Sequence, residues 1–195
     1  EASDRNSLRH HMEDFLDLEQ RIEEEFAVMG TFLDVDIAGS STMKTEKIRP
    51  EHIILSFERW RGWIRRVIEE LGGQVLCSNG DELMCFFEAD GHADRAVQAG
   101  SGMLDQLAQF NNDENLLPEH FRMRIGIHTG RSLVDRRMGI AYSSVLDVAG
   151  HLQKEATVNG LLASKQTYEA MSKDHLLEPE GELEREGIPT FRLRQ

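Results

Sequence analysis

The spacing of apolar positions divides the chain into segments of different period. From Ser7 to about Met29, Leu8, Phe15, Ile22 and Met29 recur every seven residues among acidic neighbours, with Met12, Leu18 and Phe26 beside them. That pattern predicts one amphipathic helix, either a short coiled coil or a helix folded against the rest. Thr31–Ile37 (TFLDVDI) reads as a buried strand, in which alternation sets Asp34 and Asp36 on one face and Leu33, Val35 and Ile37 on the other. Pro50 opens a helix to Leu71 with Ile53, Ile54, Phe57, Trp60, Ile64, Val67, Ile68 and Leu71 at helical spacing, and Gly72-Gly73 stops it. Gln74 to Phe87 reads as strand, tight Asn79-Gly80 turn, strand, with Asp81 at the hairpin tip.

Further along, the pattern predicts a helix from His92 to Phe110, a polar loop over 111–118, strands Phe121–His128 and Ser132–Val134, and a helix Ser143–Lys154. A strand Leu161–Ala163, a capped helix Ser164–Met171, an acidic loop Glu178–Gly187 and a last strand Thr190–Arg194 complete the chain. Alternating strands and helices with several hairpins imply an α+β fold on one mixed sheet. Two units are expected: a helix over residues 1–29 and a domain over 30–195.

Composition narrows the function. The 195 residues suffice for one α/β domain with a real core plus a short extension. A net charge of −13 leaves nothing to replace phosphate counterions, so nucleic acid is excluded as a partner. A nucleotide is not excluded, because Mg²⁺ can bridge carboxylate and phosphate. The basic residues of Arg59–Arg66 read as the solvated face of a helix, and Trp60 and Trp63 as core. Cys77 and Cys85 read as small core residues of a reducing compartment. No apolar run reaches membrane-span length and no signal peptide is present; a cytoplasmic domain cut from a longer protein is expected.

The candidate chemistry lies at the end of the first strand. Asp34-Val35-Asp36 runs through Ala38-Gly39 into Ser40-Ser41-Thr42, carboxylates followed by a Gly-Ser turn into a helix. Carboxylates there can hold divalent cations while backbone N–H groups of the turn receive phosphate; a solvated strand end with a helix cap is the plain alternative. A neighbouring hairpin would bring Asp81 to Asp36, and two carboxylates beside a phosphate-binding turn suit metal-assisted displacement at phosphorus.

The blocks FLDVDIAGSST, GGQVLCSNGDELMCFF, FRMRIGIHTGR and NGLLASKQTYEAM resemble, in order and spacing, those of class III nucleotidyl (adenylyl/guanylyl) cyclase domains, from roughly Gly30 to the C-terminus. The resemblance implies a ferredoxin-like, polymerase-palm mixed sheet and two subunits packed head to tail around Mg²⁺ or Mn²⁺, with the first helix a candidate signal transmitter. It implies Asp36 and Asp81 as metal ligands, the Ile37 carbonyl as another, and the N–H groups around Gly39, Ser40 and Ser41 as triphosphate holders. Asp34 departs from the family's apolar residue and reads as a third carboxylate or an outer partner. Arg131 resembles a phosphate-binding Arg in the metal-donating half of mammalian membrane adenylyl cyclases; an exposed strand Arg is the plain alternative. His128 is assigned no role.

The facing half-site departs further. Where the family has G-[DN]-x-V-N-x-A-x-R, Ser143–His151 places Asp147 at the Asn and His151 at the Arg that steady the transition state. An ionised Asp repels phosphate, and His is a shorter, intermittently charged substitute for Arg. Losing one such donor typically costs about 3 kcal/mol of barrier, so losing both nearly silences a symmetric dimer. The base-reading positions fall on Cys77 and Ile140, which do not suit adenine's Lys/Asp pair, and the segment from Gly130 to Ser143 is shorter than usual. The resemblance therefore implies a dimeric signalling domain, with itself or a complementary cyclase-type subunit, that binds metal and a nucleoside triphosphate with little or no cyclase activity. An active, divergent cyclase is the alternative. A diguanylate cyclase is more distant, since Asn79 breaks that family's GGDEF hairpin.

Overall fold

The computed structural model describes residues 2–43, 48–135, 140–142, 144–172 and 176–194. In chain order the helices are α1 (Ala2–Phe26), α2 (Ser40–Met43), α3 (Pro50–Glu70), α4 (His92–Asp113), α5 (Ser144–Glu155) and α6 (Lys165–Ala170). The strands are β1 (Ala27–Ile37), β2 (Gln74–Asn79), β3 (Glu82–Glu88), β4 (Met123–Asp135), β5 (Ile140–Tyr142), β6 (Gly160–Ser164), β7 (Leu177–Leu183) and β8 (Ile188–Leu193). They form one mixed sheet in the order β2-β3-β1-β4-β6-β8-β7, with β5 on the far end of β4. The β4–β6 pair is parallel, as a connection through α5 requires.

β1 is the spine. It pairs with β4 along its whole length, from Ala27↔Leu133 to Ile37↔Met123, and with β3 on its other edge. Leu33, Val35 and Ile37 point into the main core, which α3 and α4 close with Trp60, Ile64, Ile68, Val97 and Met103. Trp60, Trp63, Phe110 and Phe121 form a cluster of stacked and edge-on rings there. The opposite face carries a smaller core, Phe32 and Phe86 against Val145 and Ala149 of α5. α5 can lie this close because β4 has Gly126 beneath it: a Cβ there would come within 2.1 Å of the Ala149 carbonyl oxygen.

Several elements differ from the sequence pattern. The first helix ends at Phe26, so Met29 belongs to β1 and its place in the heptad is incidental. The two strands expected over 121–134 are one, β4. The acidic segment 178–187 is mostly an edge strand, β7, anchored by buried Leu177 and Leu183 at its ends. Its outward glutamates hide the strand signal, and Arg192 of β8 pairs with Glu178 at 2.6 Å and Glu180 at 2.7 Å. Cys85 is buried but Cys77 is exposed, because β2 is the outermost strand on that side. Ile54 faces solvent. Among the described residues no helix is long and apolar enough to cross a membrane.

Candidate functional site

The site is built on the face of the sheet that α5 covers only in part. On β1, Asp34 pairs across to Met84 of β3, and Val35 to Leu83. Since Val35 and Leu83 point into the core, Asp34, Asp36, Glu82 and Met84 share the other face. On the opposite edge Asp36 pairs with Arg124 and Asp34 with Gly126. The β2–β3 turn delivers the remaining acid. Asn79 pairs with Glu82, so the loop residues are Gly80 and Asp81, one step beyond the expected Asn-Gly pair. Asp81 sits at a hairpin tip yet is only 7% exposed. α3 pins that tip from behind: Arg61 donates to the Gly80 carbonyl at 2.9 Å and the Trp60 indole N–H to the Asp81 carbonyl at 3.4 Å.

The structure thus brings Asp36 and Asp81 together, their carboxyl groups in hydrogen-bonding contact. Two carboxylates hydrogen-bond only while one of them carries a proton. Burial, then the Asp81 hydrogen bond and charge, push Asp36 up to about 7, against a smaller lowering by the Ile37 backbone N–H. Asp34 is fully buried, and neither of its oxygens meets a donor. The polar group facing it is the Glu82 carboxyl, and burial followed by Glu82 pushes it up to about 8. Carboxyl groups crowded together in this way hold protons or a cation between them. Asp36 and Asp81 fit a divalent ion, and Ile37, next to Asp36 at the end of β1, is buried. Among the described residues no three His, Cys, Asp or Glu side chains gather closely enough to hold an ion unaided, so water or ligand oxygens would complete its shell.

Beyond Ile37 the chain turns sharply. Ala38 donates to the Arg122 carbonyl at 2.8 Å, Gly39 takes a φ of +79°, and Ser40–Met43 make one turn of helix closed by Thr42 N–H on the Gly39 carbonyl. Gly39, Ser40 and Ser41 therefore lie at the same end of β1 as Asp36. Cys77 is in the same neighbourhood: partial burial, then Asp34 and Glu82, push its thiol up.

Other expected site residues lie elsewhere. Arg131 pairs with Met29, seven strand positions from Asp36, or about 23 Å. Its guanidinium donates to the Glu23 carbonyl of α1 at 3.0 Å. Arg124 stands beside Asp36 instead; its Nη1 donates to the Lys154 carbonyl at 3.2 Å, while its buried Nε has no partner. That position was missed because only the strand register, not local sequence, sets Arg124 against Asp36. Asp147 is exposed on the first turn of α5. His151, one turn on, is held on both ring nitrogens: Nδ1 lies 2.5 Å from Glu186 and Nε2 3.0 Å from Arg185. These line a cleft of about 630 Å³ between α5 and the β7–β8 hairpin. Ile140 begins β5, opposite Asp135; its side chain, like Ser143, lies outside the described residues. His128 is buried, 2.8 Å from the Ser164 hydroxyl, and burial pushes it down to about 4.

Comparison with known proteins speaks to the family and the fold. The model of the adenylate and guanylate cyclase catalytic domain matches residues 23–194. No curated protein matches the sequence significantly. Among solved structures, the chain is similar to the dimeric guanylyl cyclase domain of the RhoGC fusion protein of Blastocladiella emersonii, at 14% identity, with 85% of this chain and 96% of that one covered and a TM-score of 0.74. It is similar to the guanylate cyclase domain of RhGC from Catenaria anguillulae in complex with GTP, at 15% identity over 86% and 96%, TM-score 0.72. The adenylyl cyclase CyaB of P. aeruginosa follows at 17% identity over 87% and 95%, TM-score 0.74. With the family model spanning all eight strands and the mixed sheet shared with these structures, the chain belongs to the family of adenylate and guanylate cyclase catalytic domains.

Proposed function

We propose that this domain dimerises, holds Mg²⁺ or Mn²⁺ at Asp36 and Asp81, accepts a nucleoside triphosphate, and as a homodimer makes little or no cyclic nucleotide. It then serves as a signalling module or as the metal-donating half of a mixed pair. The bound cation would supply the positive charge that draws triphosphate oxygens toward two carboxylates. The protein's own part is to hold those carboxylates side by side, to present the Gly39–Ser41 backbone next to them, and to set Arg124 across from Asp36. Arg124 takes the phosphate-side role in place of Arg131, because its half-free guanidinium lies at the same end of the sheet as the acids.

The observation that carries the low-activity reading is the engagement of His151. Both ring nitrogens are occupied within the chain, by Glu186 and Arg185. An imidazole tied to a carboxylate cannot also turn a positive face to a leaving pyrophosphate, and Asp147 beside it repels one. The test is purified protein with ATP or GTP and Mn²⁺. Product at no more than a thousandth of the rate of an active cyclase supports the proposal. Robust cyclic nucleotide formation that Asp36→Ala abolishes would overturn it and leave the divergent-cyclase reading.

A further inference from the structure

Two Asn-Gly pairs occur in the chain, Asn79-Gly80 and Asn159-Gly160. In such a pair the backbone nitrogen of the glycine can attack the asparagine side chain, because no Cβ stands in the way and the main chain turns freely. Both asparagines are exposed, so exposure does not separate them; their bonding does. At the second pair both reacting groups are tied. The Asn159 side-chain oxygen accepts the Met123 N–H at 3.1 Å, and the Gly160 N–H donates to the Thr157 carbonyl at 2.9 Å. Thr157 packs so close that a Cβ on Gly160 would come within 2.3 Å of its hydroxyl. At the first pair, Asn79 ends the outermost strand β2, and among the described residues no hydrogen bond holds its side-chain amide. Gly80 takes a φ of +68°, and a Cβ there would meet nothing within 4 Å. The contacts from Arg61 and Trp60 that pin this tip take the Gly80 and Asp81 carbonyls, not the Gly80 N–H that would attack.

We infer that Asn79, and not Asn159, is a site of spontaneous deamidation, and that its conversion weakens cation binding at Asp36 and Asp81. Hydroxide takes the Gly80 N–H proton, and the nitrogen attacks Asn79 Cγ to close a cyclic imide. The side-chain nitrogen gains a proton and leaves as ammonia. Water then opens the ring at either carbonyl. One opening gives aspartate; the other gives isoaspartate, in which the side-chain methylene has joined the main chain. The second product lengthens the strand end that pairs with Glu82 and leads into Asp81. Asp81 then loses the placement that sets its carboxyl against Asp36. This consequence rests on the metal assignment proposed above; the modification itself does not.

The experiment ages the full chain in mildly alkaline buffer and maps its peptides by mass. Conversion at Asn79 should run at least about tenfold faster than at Asn159, which must first break its hydrogen bonds. In urea the two rates should converge. Equal rates in the folded chain, no conversion at Asn79, or rates that stay apart in urea would each overturn the assignment of the site. Titration with Mn²⁺ then compares fresh and aged protein. The aged parent should bind about tenfold more weakly, while aged Asn79→Gln, whose longer side chain closes its ring far more slowly, should bind as it did when fresh. Equal weakening in that variant, or none in a fully converted parent, overturns the effect on the cation. A fresh chain that binds no Mn²⁺ refutes the metal assignment and that effect together, and conversion at Asn79 still stands or falls by mass.

Discussion

Asp34 shows at one residue how the site trades stability for charge. Its folded value of about 8 lies above the ordinary 3.8, so the native state keeps a proton the unfolded chain has released. Without metal, stability is complete below about pH 4 and declines as pH rises toward 8, where Asp34 ionises in both states. Asp36, pushed up to about 7, acts in the same direction. We expect Asp34→Asn to melt higher than the parent at pH 8, on the order of 3 kcal/mol more stable, and to differ little at pH 4. Equal urea midpoints at pH 8 would refute this. Asp34 and Asp36 were legible in the sequence because alternation within one strand is local. Glu82 and Arg124 were not, since their roles follow from register between strands some 45 to 90 residues apart.

Among the elements, α5 decides how the two halves of the site relate. Its contact with β4 depends on the absence of a side chain at Gly126, where a Cβ would strike backbone atoms of Ala149 and Gln153. Backbone cannot swing aside as a flexible side chain does, so α5 would have to lift. Gly126→Ala should cost about 3 kcal/mol or more, lowering Tm by roughly 6–12 °C for a chain of this length. A shift under about 2 °C would show that α5 is not seated as described. The Ile125-Gly126-Ile127 motif was readable as strand, and its glycine now has a packing reason. β7 was not readable: four of its seven residues are Glu or Gly, and what makes it a strand is pairing with β8 and its buried ends rather than local propensity. The His151–Glu186 contact was hidden with it.

At the scale of the whole molecule, the unpartnered surface is α1. The helix meets the domain near its C-terminal end, where Glu23 receives Arg131 and where Ile22 lines a cleft with Leu133. Upstream, Met12, Phe15 and Leu18 are more than half exposed. Phe15 lies on the stripe that repeats every seven residues and Met12 and Leu18 lie beside it, a pattern that suits a second copy of the same helix better than the folded domain. Acids flank that stripe: Asp14 and Glu19 sit at the positions on either side of the seam, where they would stand near their equivalents in a pair. Apolar attraction and charge repulsion therefore oppose one another, and salt screens only the second. Self-association measured by sedimentation should tighten on going from low to moderate salt. Removing the first 22 residues should weaken it at least tenfold and reduce the salt effect, because the apolar stripe and the acids flanking it leave together. If the shortened chain dimerises as well as the full one, the helix makes no contribution and the pair is held by the domains alone.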